Sequence, residues 1–209
     1  MSESPIMIVT GGSRGIGSAI ARLAGERGYD VCVNYTASAD RAEAVAQDIR
    51  SHGQSAIAVQ ADVSKPDDIE RLFAETDEGL GKVDVLVNNA AISIEVAIAD
   101  VDVDIMRSQI DTNLLGPMLT TRQAIRRMGT SRGGKGGVIV NISSISALYG
   151  GLPTDVVYAG TKGGLDAFTI GIAKEVAPDG IRVCGIRPGL IKTEMWDNTV
   201  GQEGIVAMG

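Results

Sequence analysis

The stretch Ile6-Met-Ile-Val-Thr-Gly-Gly-Ser-Arg-Gly-Ile-Gly-Ser-Ala-Ile20 decides the fold of this 209-residue chain. A continuous apolar run gives way to a glycine-rich loop, after which apolar residues recur at helical spacing. This change of period predicts a buried strand, a tight turn and a helix. Glycines in such a turn let a phosphate approach the N–H groups at the start of the helix, where the helix dipole favours an anion. The stretch is therefore a candidate dinucleotide cradle.

The glycine spacing of this loop differs from the common dinucleotide fingerprint. Gly11, Gly15 and Gly17 form G-x-x-x-G-x-G, whereas the usual motif is G-x-G-x-x-G. Taken alone, the loop is compatible with a cofactor site or with a turn that only packs a helix against a strand. Motifs further along the chain decide between the two.

Composition excludes several classes of protein. The net charge of −7 and the pI near 4.7 argue against nucleic-acid binding and against an anionic membrane surface, since both require a basic face. No apolar run approaches the ~20 residues that span a bilayer. We expect a cytoplasmic protein with no membrane partner.

Two residue types bear on redox chemistry and on metals. Cys32 and Cys184 lie in apolar, strand-like runs, so we expect two buried thiols in a reducing compartment rather than a disulfide. His52 is the only histidine, and no cluster of metal ligands is evident in the sequence. We expect no metal site.

Strands and helices alternate along the whole chain. The helix after residue 64 is expected to have Ser64 as its N-cap, and the long helix at about 103–128 is expected to bend at Gly116-Pro117. Six buried strands separated by helices predict an α/β fold: one doubly wound parallel sheet, or Rossmann fold, with helices on both faces. We interpret residues 1–209 as one domain. Strands are predicted at 6–9, 30–35, 55–60, 83–87, 138–142 and 181–186, and the other helices at about 15–28, 39–52 and 156–177.

Tyr158 and Lys162 lie four residues apart on the last predicted helix, so both project from one face. A lysine beside a phenol favours the phenolate, which would lower the pKa of the tyrosine and make it a proton donor and acceptor near neutral pH. The alternative is a pair on an ordinary solvated helix, and only the context separates the two.

The context strongly resembles the short-chain dehydrogenase/reductase family. Ser144 follows the fifth predicted strand, fourteen residues before Tyr158. The match extends over most of the chain. Several motifs that occur in the same order as in the family identify it more specifically than any single motif does. These motifs are Thr10-Gly-Gly-Ser-Arg-Gly-Ile-Gly17, Asn88-Asn-Ala-Ala91, Asn113 in Asp-Thr-Asn-Leu-Leu-Gly, Asn-Ile-Ser-Ser144, and Arg187-Pro-Gly-Leu-Ile-Lys-Thr193.

The resemblance implies four catalytic residues. Tyr158 would exchange a proton with the substrate oxygen, and Ser144 would hydrogen-bond that oxygen. Lys162 would hold the nicotinamide ribose and lower the pKa of the tyrosine, while Asn113 would order a water in the proton relay. This agrees with elementary chemistry, because hydride transfer to a carbonyl creates an alkoxide that O–H donors stabilise.

The same resemblance implies the cofactor site. The glycine loop would hold the pyrophosphate and adenosine half, Asp62 would reach the adenine, and the last motif would line the nicotinamide amide. The full set of expected cofactor residues is Gly11, Ser13, Arg14, Gly15, Ile16, Gly17, Asn34, Tyr35, Asp62, Val63, Asn88, Ala90, Tyr158, Lys162, Pro188, Gly189, Ile191 and Thr193.

The end of the second strand bears on the choice of cofactor. NAD enzymes normally present a carboxylate there to the ribose 2′-hydroxyl, but this chain has Asn34-Tyr35-Thr36. Arg14 lies inside the glycine loop, where a guanidinium can pair with a 2′-phosphate. We therefore expect NADP(H) rather than NAD(H).

Two features depart from the family's pattern. Ala91 stands where the family usually has glycine, a change that we expect to be tolerated. Family members also commonly continue through a further helix and a seventh strand, which this sequence lacks. Two interpretations follow, a fragment with its C-terminal strand missing or a short protein, and we expect the first, since the sixth strand would otherwise be an uncovered apolar edge of the sheet.

Three functions follow as hypotheses. The first is an NADP-dependent oxidoreductase acting on a ketone, aldehyde or alcohol, and the resemblance implies a homodimer or homotetramer. The second is a dinucleotide-binding regulatory protein without significant turnover, although such a protein has no chemical reason to retain four catalytic residues. A nucleotide-independent scaffold is disfavoured by the glycine loop.

Overall fold

A computed structural model describes residues 4–193 of the chain. Six strands pair in parallel in one sheet, and each is joined to the next by a segment that contains at least one helix. The strands are β1 (Ile6–Val9), β2 (Asp30–Tyr35), β3 (Ala56–Gln60), β4 (Val85–Asn88), β5 (Gly137–Ile142) and β6 (Ile181–Ile186). Their order across the sheet is β3-β2-β1-β4-β5-β6.

Seven α-helices are present in residues 4–193, and short 3-10 turns follow two of them. The α-helices are α1 (Gly15–Glu26), α2 (Ala39–Ser51), α3 (Pro66–Gly79), α4 (Val103–Ile110), α5 (Gly116–Met128), α6 (Ser146–Tyr149) and α7 (Val156–Val176). The doubly wound parallel sheet predicted from the alternation of strands and helices is confirmed.

Alternate side chains of each strand enter two separate apolar cores. Ile8 packs with Cys32 and Leu86 in a core that also contains Phe73 of α3 and Met128 of α5. The next residues along the same strands face the opposite side, where α1 and α2 cover them. Since side chains alternate across a strand, a continuous apolar run is what a sheet covered on both faces requires.

The direction of chain progression reverses beside β1. From β1 the chain moves outward through β2 and β3, and then returns to the other side of β1 for β4, β5 and β6. In open α/β sheets, ligands bind beyond the carboxyl ends of the strands at such a switch point. The glycine loop between β1 and α1 lies at this place.

Three local predictions need correction. Lys65, not Ser64, is the N-cap of α3, because the Ser64 hydroxyl donates to Asp62 Oδ1 at 2.7 Å. β4 begins at Val85 rather than at residue 83. The helix predicted over 103–128 is interrupted by a π-helical turn, Asp111–Leu115, that ends where Gly116-Pro117 begins α5. A π turn inserts one extra residue into the helix, which is a common device at functional sites.

The two cysteines differ in burial. Cys32 is fully buried, but Cys184 is exposed, so the expectation of two buried thiols is wrong for Cys184. The physical reason is the position of β6, which lies at one edge of the described sheet and pairs there with β5. Among the helices of residues 4–193, none has the length and apolarity to cross a membrane.

Candidate functional site

A cavity of about 1130 Å³ opens at the carboxyl ends of the strands. It is bordered by the glycine loop, by the segments that follow the other strands, and by the start of α7. Of the residues predicted for the site, those lining the cavity are Gly11, Ser13, Arg14, Gly15, Ile16, Tyr35, Asp62, Val63, Ala90, Ser144, Tyr158, Lys162, Pro188, Gly189, Ile191 and Thr193. Four predicted residues, Gly17, Asn34, Asn88 and Asn113, do not line it.

The glycine loop presents backbone donors to this cavity. Gly11 and Gly15 adopt positive φ angles of 61° and 53°, which residues with a side chain rarely adopt. Arg14 is the N-cap of α1, but its side chain makes no capping hydrogen bond and the first turn of α1 contains no acidic residue. The first N–H groups of a helix lack partners within the helix, so this end of the cavity suits an anion.

Gly17 and Asn34 shape the glycine loop from behind. A Cβ atom on Gly17 would lie 2.3 Å from the Gly11 carbonyl oxygen, so only glycine allows α1 to approach the loop. Asn34 Oδ1 accepts a hydrogen bond from the Gly11 N–H at 3.1 Å, and its Nδ2 donates to the carbonyls of Val59 and Ala61. Both residues therefore contact the loop rather than the cavity.

Asn88 belongs to a buried polar network beneath the cavity. Its Nδ2 donates to Asn141 Oδ1 at 2.9 Å, and its Oδ1 accepts a hydrogen bond from the Thr120 hydroxyl at 2.6 Å. Asn141 in turn donates to Thr169 of α7 at 2.8 Å. The neighbouring residue Asn89 lines the cavity instead. The Asn88 side chain thus ties β4 to β5 and α5.

Asn113 lies in the π turn and is fully buried. Its Oδ1 accepts from the Ile92 N–H at 2.9 Å, and its Nδ2 donates to the Ile92 carbonyl at 2.7 Å and to the Thr161 hydroxyl at 3.3 Å. The side chain fixes the segment after β4 against α7. The Asn113 side chain is therefore occupied by protein partners, and the water-ordering role expected for it stays a prediction.

Ser144, Tyr158 and Lys162 converge at the wall of the cavity. Ser144 lies two residues after the end of β5 and hydrogen-bonds the side chain of Tyr158, which lies in the first turn of α7. Lys162 Nζ lies 5.6 Å from the centroid of the Tyr158 ring and donates to the Ile142 carbonyl at 2.8 Å. Strand, loop and helix thus bring a hydroxyl, a phenol and an amine to one place.

The pKa of Tyr158 is shifted in the direction opposite to the one predicted from the sequence. Burial raises the pKa of Tyr158, the hydrogen bond with Ser144 opposes this, and the charge of Asp155 adds to it. Burial also lowers the pKa of Lys162 to about 8, against the opposing effect of Asp166. The predicted lowering of the tyrosine pKa is therefore not present in this structure, because desolvation of the phenol is the largest effect and outweighs the hydrogen bond with Ser144.

Several cavity residues were not predicted from the sequence. Ser93, Glu95 and Asp155 line the cavity. One signal was available for Asp155, which lies three residues before Tyr158 and therefore on nearly the same side of a helix. Ala91 also lines the cavity, and it has no positive φ angle, which explains why alanine can replace glycine there.

Comparison with known proteins gives consistent similarities. The sequence pattern of the family described as short chain dehydrogenase matches residues 5–204. The chain is 40% identical over 191 residues to the uncharacterized oxidoreductase YgfF of Escherichia coli K12, covering 91% of this chain and 77% of that protein. It is 37% identical over 193 residues to a 3-oxoacyl-(acyl-carrier-protein) reductase of Synechocystis, covering 92% and 76%.

Solved structures show the same similarity in three dimensions. A short chain dehydrogenase from Burkholderia cenocepacia in complex with NADP superimposes with a TM-score of 0.86 at 34% identity, over 91% of this chain and 76% of that chain. A dehydrogenase/reductase from Sinorhizobium meliloti gives a TM-score of 0.86 at 34% identity, over 91% and 74%.

Proposed function

The chain belongs to the short-chain dehydrogenase/reductase family of oxidoreductases, and from that membership we propose that it transfers a hydride between NADP(H) and a ketone or aldehyde, or the corresponding alcohol. The observation that carries the proposal is that Ser144, Tyr158 and Lys162 converge on the same cavity that the glycine loop lines. A hydroxyl, a phenol and an amine beside a dinucleotide cradle match the requirements of carbonyl reduction.

The described residues fit a dinucleotide. The loop N–H groups and the uncapped start of α1 suit a pyrophosphate, and the approach of α1 to the loop at Gly17 leaves no room for a larger residue. The glycine loop and Tyr158 border the same cavity, so the loop would hold the pyrophosphate of a dinucleotide and the residues around Tyr158 would hold its nicotinamide half. When bound, the nicotinamide supplies or accepts the hydride.

The protein's own residues handle the proton and the developing charge. Tyr158 donates its proton to the carbonyl oxygen as negative charge develops there, and Ser144 supplies a second O–H donor. Lys162 holds the cofactor ribose and stabilises the phenolate that remains. Because burial raises the pKa of Tyr158, the phenol remains protonated at neutral pH, which suits it to donate in the reduction direction.

The choice of NADP(H) rests on the end of β2. Tyr35 and the next three residues line the cavity there, and residues 34–38 contain no carboxylate to bind a ribose 2′-hydroxyl. Arg14 borders the same end. Arg14→Ala should weaken NADPH binding about tenfold, since charge-assisted hydrogen bonds contribute ~1.5–3 kcal/mol, and should leave NADH binding nearly unchanged. Equal weakening with both cofactors would contradict the NADP assignment.

The catalytic proposal is tested with Tyr158→Phe. NADPH oxidation should be measured with a panel of ketones, together with NADPH affinity and melting temperature. The variant should fold and bind NADPH like the unchanged protein but lose turnover by about 10²- to 10⁴-fold, because only the proton donor is removed. Full turnover in the variant would show that Tyr158 is not the donor.

The panel also separates the proposal from its main alternative. A dinucleotide-binding regulatory protein would bind NADPH, but it would not oxidise NADPH whichever ketone or aldehyde is added. The homodimer or homotetramer implied by the family is a separate proposal, and light scattering of the purified protein gives its order directly.

A further inference from the structure

Asp155 is a buried carboxylate on the wall of the cavity that the proton-transfer scheme does not use. It precedes α7 directly and is only 8% exposed. The Ser93 hydroxyl donates to its Oδ1 at 2.9 Å, and beside this contact the Val96 N–H donates to the Thr154 carbonyl at 2.9 Å. Two hydrogen bonds thus hold the segment after β4 against the start of α7, with the carboxylate between them.

The Asp155 carboxylate does not cap helix α7. An aspartate at an N-cap normally accepts a hydrogen bond from a backbone N–H of the first turn, but Asp155 makes no such bond although it occupies the N-cap of α7. Within residues 4–193, Ser93 is the hydrogen-bond partner of this side chain, so Oδ2 has none. Oδ2 is not among the buried side-chain atoms that lack a partner, so part of its surface stays accessible, and Asp155 is a lining residue of the cavity.

Asp155 lies close to the reacting groups. Its charge acts on the phenol of Tyr158 and on the carboxyl group of Glu95, both of which line the cavity. Burial first, and then Asp155, raises the pKa of Glu95. The same wall contains Asp104 and Asp111, whereas the guanidinium of Arg107 lies 3.4 Å from Asp104. Asp155 and Glu95 thus form an acidic part of the cavity lining, while Lys162, the amine beside the phenol, donates to the Ile142 carbonyl.

This distribution of charge selects among substrates. A carboxylate with a free oxygen in a partly dehydrated wall is stabilised by an O–H or N–H donor, and a second anion placed there is repelled. An anionic group next to the reacting carbonyl would meet Asp155 and Glu95 together. A hydroxyl or ammonium group would supply the missing hydrogen bond.

We propose that Asp155, positioned by Ser93, is a specificity-determining residue that accepts a hydrogen bond from a hydroxyl or ammonium group on the carbon next to the substrate carbonyl. The substrate class is therefore hydroxylated or amino carbonyl compounds rather than anionic acyl compounds. This inference rests on the oxidoreductase function proposed above.

Four small ketones test the proposal, because they differ only in the group beside the carbonyl: butanone, hydroxyacetone, aminoacetone and acetoacetate. The first measurement is kcat/KM with NADPH for the unchanged protein and for Asp155→Asn. The ratio of hydroxyacetone or aminoacetone to butanone should fall about tenfold or more in the variant, as expected for loss of a charge-assisted hydrogen bond. Acetoacetate should be a poor substrate of the unchanged protein and improve in Asp155→Asn.

The second measurement does not depend on turnover. The same ketones are titrated calorimetrically into the complex of the protein with NADP⁺, in which a ketone cannot be reduced. Hydroxyacetone or aminoacetone should bind more tightly than butanone, and the preferred one of the two identifies the donor group. Ser93→Ala should weaken this preference in part, whereas Asp100→Asn, which removes an exposed carboxylate of the same loop outside the cavity, should leave it unchanged.

The outcomes separate the two proposals. Turnover without discrimination among the ketones, or a preference that Asp155→Asn leaves intact, overturns the role of Asp155 and leaves the oxidoreductase function standing. Discrimination in the calorimetric titration without turnover supports the role of Asp155 and contradicts the oxidoreductase function. Absence of both turnover and ketone binding in the NADP⁺ complex contradicts both proposals.

Discussion

Two groups of polar side chains occur near the carboxyl ends of the strands, and they differ in what they contact. Ser144, Tyr158 and Lys162 border the cavity. Asn34, Asn88 and Asn113 are equally close to it in the fold, but their amide groups are used by backbone or by other side chains. The comparison teaches that the side chains proposed for catalysis border the cavity, whereas the buried asparagines form a framework that joins strands, loops and helices around it. Loss of a framework residue should therefore affect stability, and loss of a cavity residue should affect turnover.

The sharpest test of the cavity group beyond Tyr158 is Ser144→Ala. We expect turnover to fall about 10²- to 10³-fold, because one of the two O–H donors for the developing alkoxide is lost. The melting temperature should change little, because the turnover loss comes from the missing O–H donor and not from unfolding. If Ser144→Ala lowered the melting temperature and spared turnover, Ser144 would belong to the framework.

The framework group is tested by Asn88→Ala. The substitution leaves Asn141 Oδ1 without its donor in a buried site and removes one acceptor of the Thr120 hydroxyl, which still reaches the Gly116 carbonyl, so the unfolding free energy should fall by about 2–3 kcal/mol. For a chain of this size, the melting temperature should drop by about 5–10 °C. Turnover per folded molecule should be nearly unchanged. Gln47→Ala, which removes an exposed amide, is the control and should leave the melting temperature unchanged.

The pH dependence of cofactor binding tests Lys162 as a cavity residue. With its pKa near 8, the amine is charged below pH 8, so NADPH affinity should decrease as the pH rises above 8, by up to about tenfold per unit. Lys162→Met should bind NADPH weakly and without this dependence.

The effect of Lys162 on stability has the opposite sign. The unfolded lysine keeps its proton up to its ordinary pKa of 10.5, whereas the folded one gives it up near 8. Between these values the unfolded state binds more protons, so the contribution of Lys162 to stability rises with pH. The free energy of unfolding, measured by denaturation between pH 8 and 10.5, should rise with pH in the unchanged protein more than in Lys162→Met, while NADPH affinity falls.

Asp155 gives the smallest expected effect. Burial raises the pKa of this carboxyl, so its charge at neutral pH is unfavourable for folding, and the penalty is relieved as the pH falls through the raised pKa. Asp155→Asn should raise stability at pH 7 by about 0.5–1 kcal/mol, or ~1–4 °C in melting temperature, since solvent in the cavity screens part of the charge. A lower melting temperature would place Asp155 in the framework.

Much of this architecture could be predicted from the sequence. Strand β1, the glycine loop and α1 were predicted because the apolar pattern changes period at the glycines, and β2, β5 and β6 were predicted within one residue at each end for the same reason. The cavity residues Ser144, Tyr158 and Lys162 followed from their spacing and from the order of the family motifs. The π turn at Asp111–Leu115 was missed, because one extra residue in a helix leaves the apolar pattern almost unchanged.

The asparagines show where prediction from sequence ends. Asn34 and Asn88 follow apolar strand residues in the same way as Ser144, and local sequence contains no information about whether a side chain meets a cavity or a neighbouring strand. Asn88 finds Asn141 across a separation of 53 residues, so its partner exists only once β4 and β5 pair. The same holds for the exposure of Cys184, which depends on the position of β6 in the sheet.

The sequence by itself determined the order of strands and helices, the glycine loop and the chemical identity of the reacting groups, because these depend on local pattern and residue type. Only the tertiary structure decided which polar groups face the cavity, the raised pKa of Tyr158 and the meeting of Ser93 with Asp155. Each of these depends on burial and on contacts between residues distant in the chain. Such contacts form through packing of the sheet and its helices, and no local pattern encodes them.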